Sequence, residues 1–416
     1  MPANSDFPCC ISGGNFVENY GQSGLRRSAL VVDLRPLRFL AGMDSTVIQY
    51  FRILISCVLF SMTFAAEAQE QRAAAADPRV GKKILIVRHG APIKTPEATV
   101  WTSYLGEVFT VALTNGEWLW ISEKGGWLWE KETVPYDSAI QELSGRLTRM
   151  ATSENYHLRG VAYLAHQQYD KAITDFSESL RRAPKNSGAL NNRGKAYYLK
   201  ANYPASINDF TRAIAIDSKS VLYLNNRALA FIETAQYQPA LADLNAALTL
   251  VPDFAEALNN RGIVHQKLNQ VDQAIVDFTA ALKVDPRYVD ALGNRAFSWR
   301  KKQQYGNAIS DLEQAIRISP LTYEATNDLA WLLSTCADDS IRQPARAMEL
   351  AKAACGMTEY RQWNTLDTLA AAFADQGQFE EAGKWVTTAI ENAPAAEKTR
   401  LMGHREQITA RKPIRE

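Results

Sequence analysis

The segment Ile86-Val87-Arg88-His89-Gly90 sets a histidine and an arginine at the end of an apolar run. A histidine so placed can accept a phosphoryl group while a guanidinium stabilises the charge in transit. The other histidines, His157, His166, His265 and His404, all fall in helical patterns. We read Arg88 and His89 as a surface turn, with phosphotransfer as the alternative.

A second set of charges is periodic. Arg159, Arg193, Arg227, Arg261 and Arg295 recur every 34 residues, and so do Asp175, Asp209, Asp243, Asp277 and Asp311. In an antiparallel helix pair joined by a short turn the two positions face each other, which predicts an internal ion pair fixing helix register; the alternative is a charged ligand ladder. Further on the two positions switch together, to Leu329 with Leu350 and to Leu369 with Trp385. Asparagine pairs precede three of the arginines (Asn191-Asn192, Asn225-Asn226, Asn259-Asn260), and side-chain amides bonding between neighbouring units are expected of them. The chain offers no nucleophile–base–orienter set, no Gly-rich phosphate loop and no metal-ligand spacing. We therefore expect no catalytic residue, no cofactor, no metal and no enzyme activity.

Those residues must be positioned by a chain of 416 residues, 46% hydrophobic and 22% charged. These are globular values, and at roughly 100–200 residues per domain they predict two to four folded units. With 46 basic against 45 acidic side chains, the formal charge of +1 gives no general attraction for phosphate backbones, so no nucleic-acid partner is expected. The five cysteines are too few and too scattered for a disulfide scaffold or a zinc knuckle.

Residues Ile53–Ala66 carry no charge, follow Arg52 and lead into the small-x-small site Ala66-Glu67-Ala68. That order predicts an N-terminal extension and secretory signal over 1–68, followed by a linker over 69–81. The apolar run is short for a membrane span, which needs about 20 residues. Export to the periplasm or outside the cell is expected, with no stable membrane span after cleavage; an uncleaved membrane anchor is the alternative. Whether Met1 or Met43 is the start stays open. Only Cys336 and Cys355 would remain, at opposite ends of an antiparallel helix pair and too distant to bridge.

Over 82–132 the runs KKILIV, EVFTVAL, EWLWIS and GWLWEK are short, β-branched or aromatic, and punctuated by Gly106, Asn115-Gly116 and Gly125-Gly126. They predict a small barrel or meander. Gly106-Glu107-Val108, Asn115-Gly116-Glu117-Trp118 and Gly125-Gly126-Trp127 resemble the strand and hairpin motifs of bacterial SH3-like domains. In the same region Arg88-His89-Gly90 is similar to the strand-end signature of histidine phosphatases. Trp118, Trp120, Trp127 and Trp129, two apart in each pair, are expected to share one face and fill the small core; an aromatic peptide-binding face is the alternative.

The 34-residue unit carries a small eighth position (Gly160, Gly194, Ala228, Gly262, Ala296) and a small twentieth one (Ala172, Ser206, Ala240, Ala274, Ala308). Its twenty-fourth position is Phe176, Phe210, Leu244, Phe278 and Leu312, and a proline closes it at Pro184, Pro252, Pro286 and Pro320. A helix–helix unit of this length and pattern resembles the tetratricopeptide repeat. The resemblance implies a mainly α solenoid. It comprises a capping helix over 136–150, five regular repeats over 153–320, a sixth with an insertion over 321–356, a seventh over 363–396, and a capping helix and tail over 397–416.

In that family the concave groove is lined by the first helix of each pair. The matching positions here are Val161, Lys195, Leu229, Ile263, Phe297 and Trp331 in one row, and Leu164, Tyr198, Ile232, Gln266 and Arg300 in another. Peptide-carboxylate clamps of the family use a lysine at position two, where this chain has Gly188, Leu222, Glu256 and Asp290. The expected partner is a protein or peptide in the groove, held by a non-enzymatic exported scaffold. An envelope component bound through the SH3-like module is the alternative.

Overall fold

The protein is described from a computed structural model, over residues 77–415 apart from 97. The expected signal segment lies outside the described residues. The chain divides into two compact units, 1–172 and 173–416.

In the first unit seven strands form one antiparallel sheet: β1 Lys83–Ile86, β2 Pro92–Lys94, β3 Thr99–Thr102, β4 Val108–Asn115, β5 Trp118–Ile121, β6 Gly126–Trp129 and β7 Thr133–Pro135. Their order is β3-β2-β6-β5-β4-β1-β7. This corrects the expectation of a barrel: the sheet is open, with β3 and β7 at its two ends and no pairing between them. Gly116, with φ +61°, supplies the left-handed backbone that the β4–β5 hairpin needs where Asn115 pairs with Trp118. One face of the sheet is filled by Ile84, Ile86, Ile93, Phe109, Val111, Leu119, Ile121 and Leu128.

β1 is apolar on both faces because both are covered. Leu85 points away from Ile84 and Ile86 and joins Val134 with Ala139 and Leu143 of α1 (Ala139–Arg149) and Leu158 and Ala162 of α2 (Ser153–Ala165). Strands and first helices thus share a core. That is why the compact division falls within the helical region and not where the strands end. Tyr136 fixes this joint: its hydroxyl donates to the Ala165 carbonyl at 3.0 Å, and its ring stacks on His166 at 4.1 Å.

The tryptophans correct a second expectation. Trp118 pairs with Trp129 and Trp120 with Trp127 across β5 and β6, with ring centroids 6.4 and 5.2 Å apart. They do share a face, but it is the one opposite Leu119, Ile121 and Leu128, and all four are only half-buried. The aliphatic residues fill the core instead.

The helices continue with α3 Tyr169–Arg182, α4 Ser187–Leu199, α5 Tyr203–Ile216, α6 Val221–Glu233, α7 Tyr237–Leu250, α8 Ala255–Lys267, α9 Val271–Val284, α10 Val289–Lys301 and α11 Tyr305–Ile318. In the second unit α4 and α5, α6 and α7, α8 and α9, and α10 and α11 make four pairs of a 13-residue first helix and a 14-residue second one. Close approach within a pair needs the small eighth position. A Cβ on Gly194 would stand 2.8 Å from the Phe210 ring, and one on Gly262 2.5 Å from Phe278. Where the opposing residue is Leu244 or Leu312, the eighth position is Ala228 or Ala296, both buried. The two sites trade volume.

Each turn between paired helices needs one left-handed residue, and Ala201, Ala235, Asn269 and Gln303 take it with φ between 55° and 59°. The sixth pair, α12 Tyr323–Thr335 and α13 Pro344–Met357, is separated by a loop that Arg342 ties down, its Nη1 donating to the Cys336 carbonyl at 2.7 Å. The seventh pair is α14 Trp363–Asp375 and α15 Phe379–Asn392, and its turn uses Gly377. Helix α16, Ala395–Thr409, buries Leu401, His404 and Ile408 on this pair. The final residues do not trail away. Ile414 is buried, and Arg415 donates to the Ser334 carbonyl at 2.9 Å and to Asp375 at 2.6 Å. Cys336 and Cys355 are free and buried, and burial pushes the Cys355 thiol up to about 11.

Candidate functional site

In the second unit the periodic arginines sit on the first helix of each pair and reach the aspartate on the second. Arg193 donates through Nε and Nη2 to both oxygens of Asp209, at 2.6 and 2.8 Å. Arg227 does the same to Asp243, Arg261 to Asp277 and Arg295 to Asp311, at 2.6–2.8 Å. The carboxylates are buried. A planar fork on a carboxylate fixes two helices in both distance and angle.

The third nitrogen does something the sequence did not disclose. Nη1 of Arg193, Arg227, Arg261 and Arg295 donates back to Ser177, Thr211, Asn245 and Thr279, at 2.9–3.1 Å. Those acceptors stand on the second helix of the preceding repeat. Every guanidinium thus staples three helices, and these charges face the protein and not a ligand. In the first unit Arg159 donates to Ser144 of α1 at 3.3 Å, and Asp175 is buried in the second unit.

A second ladder is neutral. The sixth residue of each first helix donates its amide to the fifth residue of the helix before it: Asn226 to Asn191 at 2.9 Å, Asn260 to Asn225 at 2.8 Å, Asn294 to Asn259 at 3.0 Å. The next rung would run from Asp328 to position 293, where glycine leaves no acceptor. The one after would run from Thr368 to Asn327, but the Thr368 hydroxyl donates to the Asn364 carbonyl of its own helix at 3.0 Å. The ladder then resumes, with Arg400 of α16 donating to Asp367 at 3.4 Å.

Across the missing rungs lies a cleft of about 260 Å³, lined by Arg300, Asn327, Asp328, Trp331, Asn364, Asp367, Thr368 and Arg400. Asn327 is 6% exposed, and its Oδ1 finds no hydrogen-bond partner among the described residues. Asp328 opens at the rim, yet the atoms crowding it raise its carboxyl above the ordinary value, desolvation outweighing the opposing pull of Arg300. Asp367 is buried and bound by His404 Nδ1 at 3.0 Å as well as by Arg400. Of these residues Arg300 and Trp331 stood among the groove positions. The signal available in the sequence was the glycine at 293, where α4, α6, α8 and α12 place asparagine.

The remaining groove candidates differ in what they offer. Lys195 and Phe297 are exposed, and Phe297 is flanked by the Arg300 and Lys301 cations at 5.4 and 5.6 Å. Leu164, Leu229, Ile232 and Ile263 are half-buried. Tyr198 donates to Glu233 at 3.3 Å, and burial with that carboxylate pushes its phenol up to about 12. Two candidates are withdrawn. Val161 is 2% exposed, close to Gly106 of the sheet, and Gln266 is tied to the Asn294 carbonyl and the Ser298 hydroxyl at 2.7 Å.

Arg88, the cation nearest His89 in sequence, is held by the buried Glu132 at 2.5 Å. His89 itself is exposed. His157 of α2 is pushed down to about 4, chiefly by desolvation and secondarily by His89. No group of three or more His, Cys, Asp or Glu able to hold a metal occurs among the described residues. No helix among them is long and apolar enough to cross a membrane.

Models of the tetratricopeptide repeat match residues 157–221 and 255–288, so the chain carries tetratricopeptide repeats, and its helical part is a solenoid of them. No curated protein matches the sequence. Among solved structures, a chain of the APC/C hetero-tetramer Cut9–Hcn1 aligns at 17% identity over 57% of this chain, with a TM-score of 0.50. That alignment spans 46% of the other chain, less than half its length. A tetratricopeptide repeat protein from Parabacteroides merdae aligns at 20% identity over 65% of this chain and 99% of its own, with a TM-score of 0.48. YrrB, described as a repeat protein with an unusual peptide-binding site, aligns at 19% identity over 46% of this chain and 98% of its own, with a TM-score of 0.37.

Proposed function

We propose that the protein is an exported, non-enzymatic scaffold that holds protein or peptide partners on the first helices of its repeats. Tetratricopeptide repeats bind protein or peptide segments in general, and the observation that carries the reading to this chain is a division of labour on each first helix. The periodic arginines and asparagines are consumed internally, whereas Lys195 and Phe297 are exposed and Leu229, Ile232 and Ile263 half-exposed beside them. Such a mixed apolar and cationic row suits an extended or helical segment.

Export rests on the signal-like order of Arg52, Ile53–Ala66 and Ala66-Glu67-Ala68. The test is crosslinking in cells from a photoreactive residue at Tyr198 or Ile263, read by mass spectrometry. Discrete protein adducts are expected, together with a mature N-terminus near residue 68. Adducts no richer than those of an unmodified control, or an intact N-terminal segment, would count against the scaffold or the export respectively.

A second reading assigns the sheet, taken as an SH3-like module, to an envelope component. It is favoured by the half-exposed tryptophan face of β5 and β6, edged by Lys131 over the Trp129 ring at 4.6 Å and by Glu117 accepting from Trp129 Nε1 at 3.1 Å. Loss of cell-wall pelleting on Trp118→Ala or Trp127→Ala in the whole protein would support it.

A further inference from the structure

We infer that the cleft across the missing asparagine rungs is a recognition point for an acidic residue within an extended peptide segment, whose main-chain N–H groups replace the absent rungs and whose carboxylate meets Arg300 and Arg400. This rests on the scaffold reading and names the chemistry of one site within it.

The argument starts from what the regular repeats do with the same two positions. In α6, α8 and α10 an amide hydrogen reaches the asparagine oxygen one repeat back, on α4, α6 and α8, so each of those acceptors is used. At α12 and α14 the donor fails twice. Asp328 has no hydrogen to give, and Thr368 spends its own on Asn364. Asn327 Oδ1 is left as an orphaned acceptor inside a cleft, on a residue more than nine-tenths buried. A buried acceptor without a donor is costly, and a ligand that supplies an N–H recovers that cost on binding.

The donors in the same cleft specify the rest of the ligand. Arg400 directs Nη1 at Asp367 and Nε at Glu397, and Nη2 has no bond among the described residues. Arg300 enters from α10 on the other side. Asp367 does not repel an incoming carboxylate strongly, because His404 and Arg400 already engage it. Asp328, at the rim, is a second acceptor for a main-chain N–H. An extended peptide alternates N–H and C=O, and an aspartate or glutamate adds the carboxylate that two planar forks match. A lysine or arginine side chain in the same place would satisfy Asn327 but stand against both guanidiniums.

The probe is a fluorescein-labelled, terminally blocked octapeptide of alternating glycine and glutamate, titrated into the whole protein and followed by anisotropy. Saturable binding is expected, at least tenfold tighter than that of the glycine–glutamine analogue or of a backbone N-methylated version. Arg400→Gln and Arg300→Gln should each weaken it fivefold or more, and Lys219→Gln, an exposed change in a distant turn, should not. Because Arg400 also holds α16, melting is measured alongside. Asn327→Leu removes the orphaned acceptor together with the side-chain bond to Asp328 at the exposed rim, and should cut affinity at a little-changed melting temperature. Equal affinity for the glutamate and glutamine peptides, no binding up to about 1 mM, or indifference to Asn327→Leu overturns the proposal. If Tyr198 still crosslinks partners in cells in that event, the scaffold reading stands without this site.

Discussion

The regular repeats from α4 to α11 and the irregular stretch from α12 to the chain end use the same helix pair in opposite ways. In the first stretch every guanidinium fork meets a buried carboxylate and every asparagine amide meets another. In the second, Leu329 faces inward with Leu350 packed nearby, Leu369 and Trp385 take the equivalent places, and the amide ladder lapses for two rungs. Strict periodicity lets polar groups satisfy one another within the array. Where the period breaks, Asn327 Oδ1 is left over, and it lies in a cleft.

The strongest way to break this comparison is to remove a fork. Arg227→Ala leaves Asp243 buried without its partner and should destabilise the second unit by about 3–5 kcal/mol in urea unfolding. The double change Arg227→Leu with Asp243→Leu imitates the sixth repeat and should recover most of that loss. If it recovers nothing, the apolar pair of the sixth repeat is no substitute for the ionic one.

Next in size is the volume trade. Gly262→Ala pushes a methyl into the Phe278 ring and should cost about 1–3 kcal/mol; adding Phe278→Leu reproduces the Ala228–Leu244 pairing and should return the melting temperature close to its starting value. The two asparagines give the most direct contrast. Asn259→Leu strands the Asn294 amide and should cost about 1–2 kcal/mol, whereas Asn327→Leu gives up only a bond to Asp328, whose exposed position lets water replace it, and should cost less. Equal losses at both sites would mean that the regular and irregular stretches do not differ in this respect. The smallest effect is at the turns. Ala235→Gly relieves a left-handed alanine and should stabilise by about 1 kcal/mol, and Gly377→Ala should lose a similar amount.

The repeating part of the fold was legible because each of its contacts recurs at one spacing. Positions seven and twenty-three announce themselves by being Arg and Asp together and then changing together. The backward bond to Ser177, Thr211, Asn245 and Thr279 was hidden because hydroxyls and amides on a helix surface look like ordinary polar residues. In the sheet, alternation told which residues share a face but not which face turns inward. The indoles of Trp118 and Trp120 and the side chains of Leu119 and Ile121 satisfy the same pattern, and the aliphatic set takes the core. The cleft was legible only as an absence, a glycine at 293. Its remaining wall comes from Arg400 on a helix outside the period, which only the folded chain brings near.

The backward reach of Arg193, Arg227, Arg261 and Arg295 also bears on how such a chain can lengthen. Each guanidinium reaches 16 residues back, to the second helix of the preceding repeat and no further, so a whole 34-residue block duplicated or excised between α4 and α11 presents every arginine with a familiar neighbour. A fractional insertion there misaligns three helices at once. Growth by entire modules is therefore nearly neutral to this architecture, while tinkering with module length is tolerated only beyond α11, the part of the array that has already departed from the rule.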